Sequence, residues 1–171
     1  MPSRITVKGV KTFQGMEGQG FNAKVFLDGK EVAFAIDEGC GGSLLVYWKD
    51  NIGDFRPNPH GIGETAKSEI AAIAAAAPPE DCGFCDECKA GAPCSSPLQK
   101  DADWLISDAV EDFLEERKLK SLCKKQTVIR LPEHKKNGTC LIYKAPYTPA
   151  IRERVLREHP SAEIVNERYA S

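Results

Sequence analysis

Alternation of apolar and polar residues through the first fifty positions is the feature that most limits what this chain can fold into. The runs RITVKGVKTF, FNAKVFLDGKEVAFAI and SLLVYW are rich in β-branched and aromatic residues, the composition of half-buried strands. Asp28-Gly29 interrupts the middle run, and a two-residue Asp-Gly loop between alternating segments predicts a tight hairpin. A four-stranded antiparallel meander follows. The connections QGMEGQG and DEGCGG are glycine-dense, which suits turns with positive φ. Neither has the glycine order of a phosphate loop, and neither opens a predicted helix.

After the meander the pattern changes. Pro57 and Pro59 in DNIGDFRPNPHGIG are incompatible with a central strand, so this stretch reads as a linker. ETAKSEIAAIAAAA predicts an alanine-rich helix stopped by Pro78-Pro79, with Ala66, Ile70, Ile73 and Ala77 on one face. A second helix is predicted from SSPLQ, where Ser96 offers an N-cap, Pro97 a first helical residue and Gln99 a capping-box partner. Its inner face is Ala102, Leu105, Ile106, Ala109, Val110, Phe113 and Leu114. The last third reads β-β-α-β: TVIRL and TCLIYK about an Asn137-Gly138 turn, a helix capped by Thr148 and started by Pro149, then AEIV. The expected fold is α+β, an antiparallel sheet built from the meander and the closing β-β-α-β unit and covered by two central helices. At 171 residues the chain fits a single domain, 1–171, with a cysteine-rich zinc-binding loop at 78–97 inside it.

That loop carries CGFCDECKAGAPC, four of the seven cysteines within thirteen positions. Cys82, Cys85, Cys88 and Cys94 have the spacing C-x2-C-x2-C-x5-C, and two-residue gaps let a backbone wrap a tetrahedral ion bound by thiolates. Structural zinc is the first reading. An iron–sulfur cluster is the second, because three cysteines at two-residue gaps match the start of a ferredoxin run, although the fourth comes later and without the following proline. A dithiol redox motif at CGFC is disfavoured by the preceding prolines and acids. Reduced thiols on a mobile loop solvated by Glu80, Asp81, Asp86 and Glu87 remain the plain alternative. Cys40, Cys123 and Cys140 fall in or beside apolar segments and are expected as buried, inert thiols.

No apolar run reaches the roughly 18 residues of a membrane span, and residues 1–20 hold no apolar signal segment. A cytoplasmic protein with reduced thiols is expected, which is why clustered cysteines point to metal and not to a disulfide framework. The net charge of −2 conceals a segregation. Residues 80–116 carry two basic against eleven acidic side chains, and residues 117–144 carry nine basic against one acidic. Arg117, Lys118, Lys120, Lys124, Lys125, Arg130, Lys135, Lys136 and Lys144 form the basic block, a candidate nucleic-acid contact. Stabilisation of a helix C-terminus and pairing with the acidic neighbour compete with that reading. Catalysis finds little support, since no motif ties His60, His134 or His159 to a nucleophile.

Two stretches, GQGFNAKVFLDGKEVAFAIDEGCGGSLLVYW and KKQTVIRL through YKAPYTPAIRERVLREHPSAEIVNE, together resemble small proteins encoded by tailed bacteriophages, in which an opening hairpin with a DGK turn and a GG loop precedes a closing strand–hairpin–helix unit. The resemblance covers a little over a third of the chain and excludes the cysteine cluster. It implies an accessory protein of the bacterial host cytoplasm that binds a host protein or defence component. A nucleic-acid binder using segment 117–144 and a sponge for a small nucleotide are the alternatives.

Overall fold

The computed structural model describes residues 3–49, 62–83, 85–133 and 139–169. The chain is α+β and falls into two compact units, 1–113 and 114–171, with the boundary inside one helix. The predicted linker prolines, and the Asn137-Gly138 turn with His134, lie outside the described residues.

In the first unit, β1 (Ile5–Gln14), β2 (Gln19–Leu27), β3 (Lys30–Asp37) and β4 (Leu45–Trp48) form an antiparallel sheet in chain order. Asp28 and Gly29 both have positive φ, +48° and +80°, which is the backbone a right-twisted two-residue hairpin requires. The glycine loops serve each other: the amides of Glu17 and Gly18 donate to the Gly39 carbonyl at 2.9 and 3.0 Å. A Cβ on Gly39 would lie 2.7 Å from the Gly18 oxygen, so close packing of two turns explains this glycine.

One face of the sheet buries Ile5, Val7, Ala23, Val25, Ala33 and Ala35. Helix α1 (Ile62–Ala76) packs against β3 and β4. It buries Ala66, Ile70 and Ala74, while Ile73 and Ala77 are half-buried. Full burial of Ile70 contributes about 2–3 kcal/mol, and the alanines on either side allow close approach. Arg4 ties the hairpin to the helix, its guanidinium meeting both Asp28 and Glu69.

The second predicted helix starts five residues later than the serine–proline signal suggests. The short α2 (Asp86–Lys89) comes first, and α3 runs Ala102–Cys123. Asp101 is its N-cap, accepting from the Trp104 amide at 2.8 Å. Leu98 cannot join a helix because its amide and carbonyl both pair with Glu80, at 2.7 and 3.0 Å. Gln99 does not form a capping box either. It donates to the carbonyls of Ala74 and Ala77 at 3.1 and 3.4 Å, satisfying the orphan acceptors at the end of α1. Ile106 and Val110 are the fully buried part of the predicted α3 stripe, and its other members from Ala102 to Leu114 are half-buried.

The second unit has its own sheet, ordered β6-β5-β7, from β5 (Thr127–Arg130), β6 (Leu141–Tyr143) and β7 (Glu163–Ile164). Both edges of β5 are occupied by its local partners, so the strands divide between two sheets and do not extend one. Helix α4 (Pro149–Glu158) has Thr148 as N-cap and buries Val155 against Ile129, Leu131 and Ile164. A 3-10 turn, Val165–Tyr169, follows. Within it the buried Asn166 accepts from the Val128 amide at 2.7 Å and donates to the carbonyls of Cys123 and Gln126 at 3.1 and 2.8 Å. One side chain thereby joins the end of α3 to the central strand. No helix among the described residues is long and apolar enough to cross a membrane.

Candidate metal centre

Pro78-Pro79 ends α1 and the antiparallel bridge between Glu80 and Leu98 closes a loop whose two ends lie side by side. Lys100 secures the base. Its ammonium meets Glu80 at 2.5 Å and Asp108 at 3.1 Å and sits 5.8 Å from the Trp104 ring centroid, with its side chain 14% exposed. Lys100 is one of two cations in the acidic block, and that isolation is the sequence signal for this structural role.

Inside the loop the four predicted sulfurs converge. The Sγ atoms of Cys82, Cys85, Cys88 and Cys94 all lie within 4.8 Å of one another. Cys82 and Cys88 are 3.9 Å apart, and Cys85 and Cys94 are 3.8 Å apart. A tetrahedron with metal–sulfur bonds of about 2.3 Å has sulfur–sulfur edges of about 3.8 Å. The cluster can hold a metal ion.

The backbone is shaped to bring this about. Gly83 and Gly91 adopt φ of +76° and +72°, turning the chain where a side chain would be strained. Cys85 caps the single turn of α2, its sulfur accepting from the Cys88 amide at 3.4 Å. The Cys85 amide donates to Cys82 at 3.4 Å and the Cys82 amide to Cys94 at 3.5 Å. Such amide–sulfur bonds place partial positive charge where thiolate charge would sit. Cys82 is buried and the other three are half-buried.

Crowding four thiols has an electrostatic consequence. The Cys88 thiol is pushed up to about 12, first by its contact with Cys85 and further by burial, Cys94 and Cys82, against the lowering effect of the Gly83 amide. For Cys85 the largest influence, the Cys88 amide, lowers the pKa, but burial and the neighbouring groups leave it raised overall. Adjacent sulfurs resist sharing negative charge, and a divalent cation at their centre reverses that.

The remaining candidates are dispersed. Lys120 and Lys124 line one open cavity of about 310 Å³ with Tyr147 and Tyr169. Lys118 and Lys125 are exposed. Arg130 is engaged by Glu115 at 2.8 Å, with 16% of its side chain exposed, and Lys135 and Lys136 lie outside the described residues. Cys40 is exposed and not buried as expected, because its turn is held by Gly39 and leaves the thiol outward. Cys123 and Cys140 are half-buried against Leu119, Val128 and Val165, and burial raises the Cys123 thiol. His159 ends α4, its amide donating to the Val155 carbonyl at 2.7 Å, while His60 lies outside the described residues. Comparison with protein-family models, curated proteins and solved structures finds no match, so the centre is read from its own geometry.

Proposed function

We propose that this chain is a binding protein whose cysteine loop is ordered by one structural Zn2+ ion held by Cys82, Cys85, Cys88 and Cys94. The observation that carries the reading is the pair of sulfur separations, 3.8 and 3.9 Å, which suit one tetrahedral ion. An iron–sulfur cluster places its four thiolates on several irons and needs them further apart than the 4.8 Å limit found here. Four protein ligands fill a tetrahedron and leave no open position for substrate, the arrangement of a structural and not a catalytic site. The centre supplies order, and recognition falls to the surfaces it supports.

The resemblance to phage proteins makes a host protein or a defence component the expected partner, in the bacterial cytoplasm. The exposed Glu80, Asp81, Asp86 and Glu87 around the centre give the ordered loop an acidic rim suited to a basic partner surface.

Native mass spectrometry of protein purified without added metal tests the first part. One zinc per chain is expected, removed by chelation and absent from Cys88→Ser. A metal-free wild type, or a Cys88→Ser variant with unchanged metal content, refutes the centre as drawn. Capture from host lysate treated with nuclease tests the second part, with loss of capture expected on Asp86→Asn/Glu87→Gln. Capture that survives this double change removes the acidic rim from the interface.

A further inference from the structure

The second unit has a hollow of its own at the end of α3. This open cavity of about 310 Å³ falls at the lower end of the range for small-molecule sites, about 300–1,000 Å³. Two of its lining residues are fixed by bonds already made. Asn166 is 4% exposed, and both protons of its amide nitrogen are used, on the carbonyls of Cys123 and Gln126 at 3.1 and 2.8 Å. Tyr147 is held by its hydroxyl, which donates to Glu167 at 2.7 Å. The same carboxylate oxygen accepts from Arg152 at 2.8 Å, so the charge of Glu167 is met outside the cavity lining.

The lining itself is charged with one sign. Lys120 and Lys124 contribute two cations, and no acidic residue lines the cavity, although acids outnumber bases in the chain, 25 to 23. The two lysines stand one turn apart on the same face of α3, where like charges disfavour each other by a few tenths of a kcal/mol. Neither ammonium has an ion-pair partner among the described residues, and Glu116, one turn before Lys120, makes no ion pair with it. Cations at a helix C-terminus are commonly explained by the dipole. Here the last carbonyls already have donors: Leu122 accepts from the Lys125 and Gln126 amides at 3.0 and 2.9 Å, and Cys123 accepts from Asn166. The ammonium groups are therefore not needed to satisfy the helix end. Tyr169 also lines the cavity, and among the described residues its hydroxyl donates to no acceptor. Burial, and then Glu116, push that hydroxyl above its ordinary value, which keeps it a donor.

We propose that this cavity binds the phosphate monoester group of a small molecule, with Lys120 and Lys124 as charge partners and the Tyr169 hydroxyl as a third donor. A phosphate monoester carries about −1.5 to −2 charge near pH 7 and three strong acceptor oxygens. Two ammonium groups and one hydroxyl match it in charge and in number. Binding also offsets the mutual repulsion of the two lysines. A nucleic-acid strand is the poorer match, because strand binding tracks successive phosphates along a groove, whereas here two cations converge on one hollow. The site lies wholly within residues 120–169 and does not rest on the metal centre.

Isothermal titration of the full chain tests this, with inorganic phosphate, ribose 5-phosphate and adenosine 5′-monophosphate as probes and ribose and adenosine as uncharged controls. Saturable one-to-one binding of the phosphorylated probes is expected, with none for the controls. Inorganic phosphate binding as tightly as the esters identifies free phosphate as the ligand, and tighter esters identify an organic phosphate. Lys120→Gln and Lys124→Gln should each weaken binding about tenfold or more, and Tyr169→Phe about two- to tenfold, the ranges for losing a charged and a neutral hydrogen bond. Lys118→Gln removes the same charge from an exposed position of α3 outside the cavity and should bind like wild type. Thermal melting checks that the variants fold, which the exposure of both cavity lysines favours. Absence of saturable binding by all three phosphorylated probes overturns the proposal, as does Lys118→Gln weakening binding as much as Lys120→Gln. A single-stranded oligonucleotide without a terminal phosphate that binds more tightly than every monoester also overturns it and assigns these lysines to nucleic acid. Cys88→Ser changes no residue of this cavity, so failure here and failure of the metal reading are separable.

Discussion

If the cysteine loop holds an ion, as proposed, its removal should expose one peptide bond above others. Lys89 is the sole lysine or arginine between positions 81 and 97, so trypsin reads the state of the loop at a single site. It lies on α2, four residues that bury nothing. Its turn is held by short-range bonds such as Lys89 to the Cys85 carbonyl at 3.1 Å and Ala92 to the Glu87 carbonyl at 2.8 Å. An isolated helical turn is unfavourable, with nucleation constants of about 0.001, so without an ion this segment opens readily. With zinc, opening must break metal ligation, whose apparent free energy in small sites is about 10–16 kcal/mol. If only about 4 kcal/mol of that resists local opening, the open population falls about a thousandfold. Cleavage follows that population when reclosing is fast. Limited trypsinolysis followed by mass spectrometry should show fragments 1–89 and 90–171 appearing about a thousand times faster after chelation. Cleavage after Lys100 should remain slow, since the Glu80–Leu98 bridge and the Lys100 contacts hold the base without metal. Equal cleavage rates at Lys89 with and without chelator would refute the reasoning.

Two further outcomes concern the second unit. Asn166→Ala removes the partner of the buried Val128 amide and frees two carbonyls, so urea unfolding should show a loss of about 2–4 kcal/mol; a change below about 0.5 kcal/mol would mean that water replaces the side chain fully. The Glu167 carboxyl is held below its ordinary value by the Tyr147 hydroxyl, 2.7 Å away, and then by Arg152 at 2.8 Å. A depressed acid contributes stability that is present above the unfolded value of about 4.5 and lost as pH falls through the lower folded value. Thermal melts of wild type should therefore drop below about pH 4.5 more steeply than those of Glu167→Gln, and identical profiles would assign no role to this contact.

Local chemistry made much of this molecule legible. Asp28-Gly29 specified its hairpin because the turn needs two residues tolerant of positive φ, and the cysteine spacing specified the cluster because sulfur geometry is short-range. Where reading failed, a distant group had taken over a local signal. Ser96, Pro97 and Gln99 form a good helix start on their own, but Glu80 claims the Leu98 backbone and α1 claims Gln99. Arg130 belongs to the basic block by sequence, yet Glu115 occupies it. The hollow at Lys120 and Lys124 was hidden for a different reason. Sequence shows nine cations in one block, and only folding brings Tyr147 and Tyr169 from later in the chain to the two that line it.

The bridge between Glu80 and Leu98 makes the cysteine segment a detachable insert. Its entry and exit are hydrogen-bonded neighbours, so the stretch from 81 to 97 can be replaced by a tight turn without altering the distance that α1 and α3 must span. Loop length itself contributes little to stability, about 0.6 kcal/mol for each doubling. A segment mounted in this way can be gained, exchanged or lost while the sheet and helices keep their packing, and its chemistry can change independently of the scaffold that carries it.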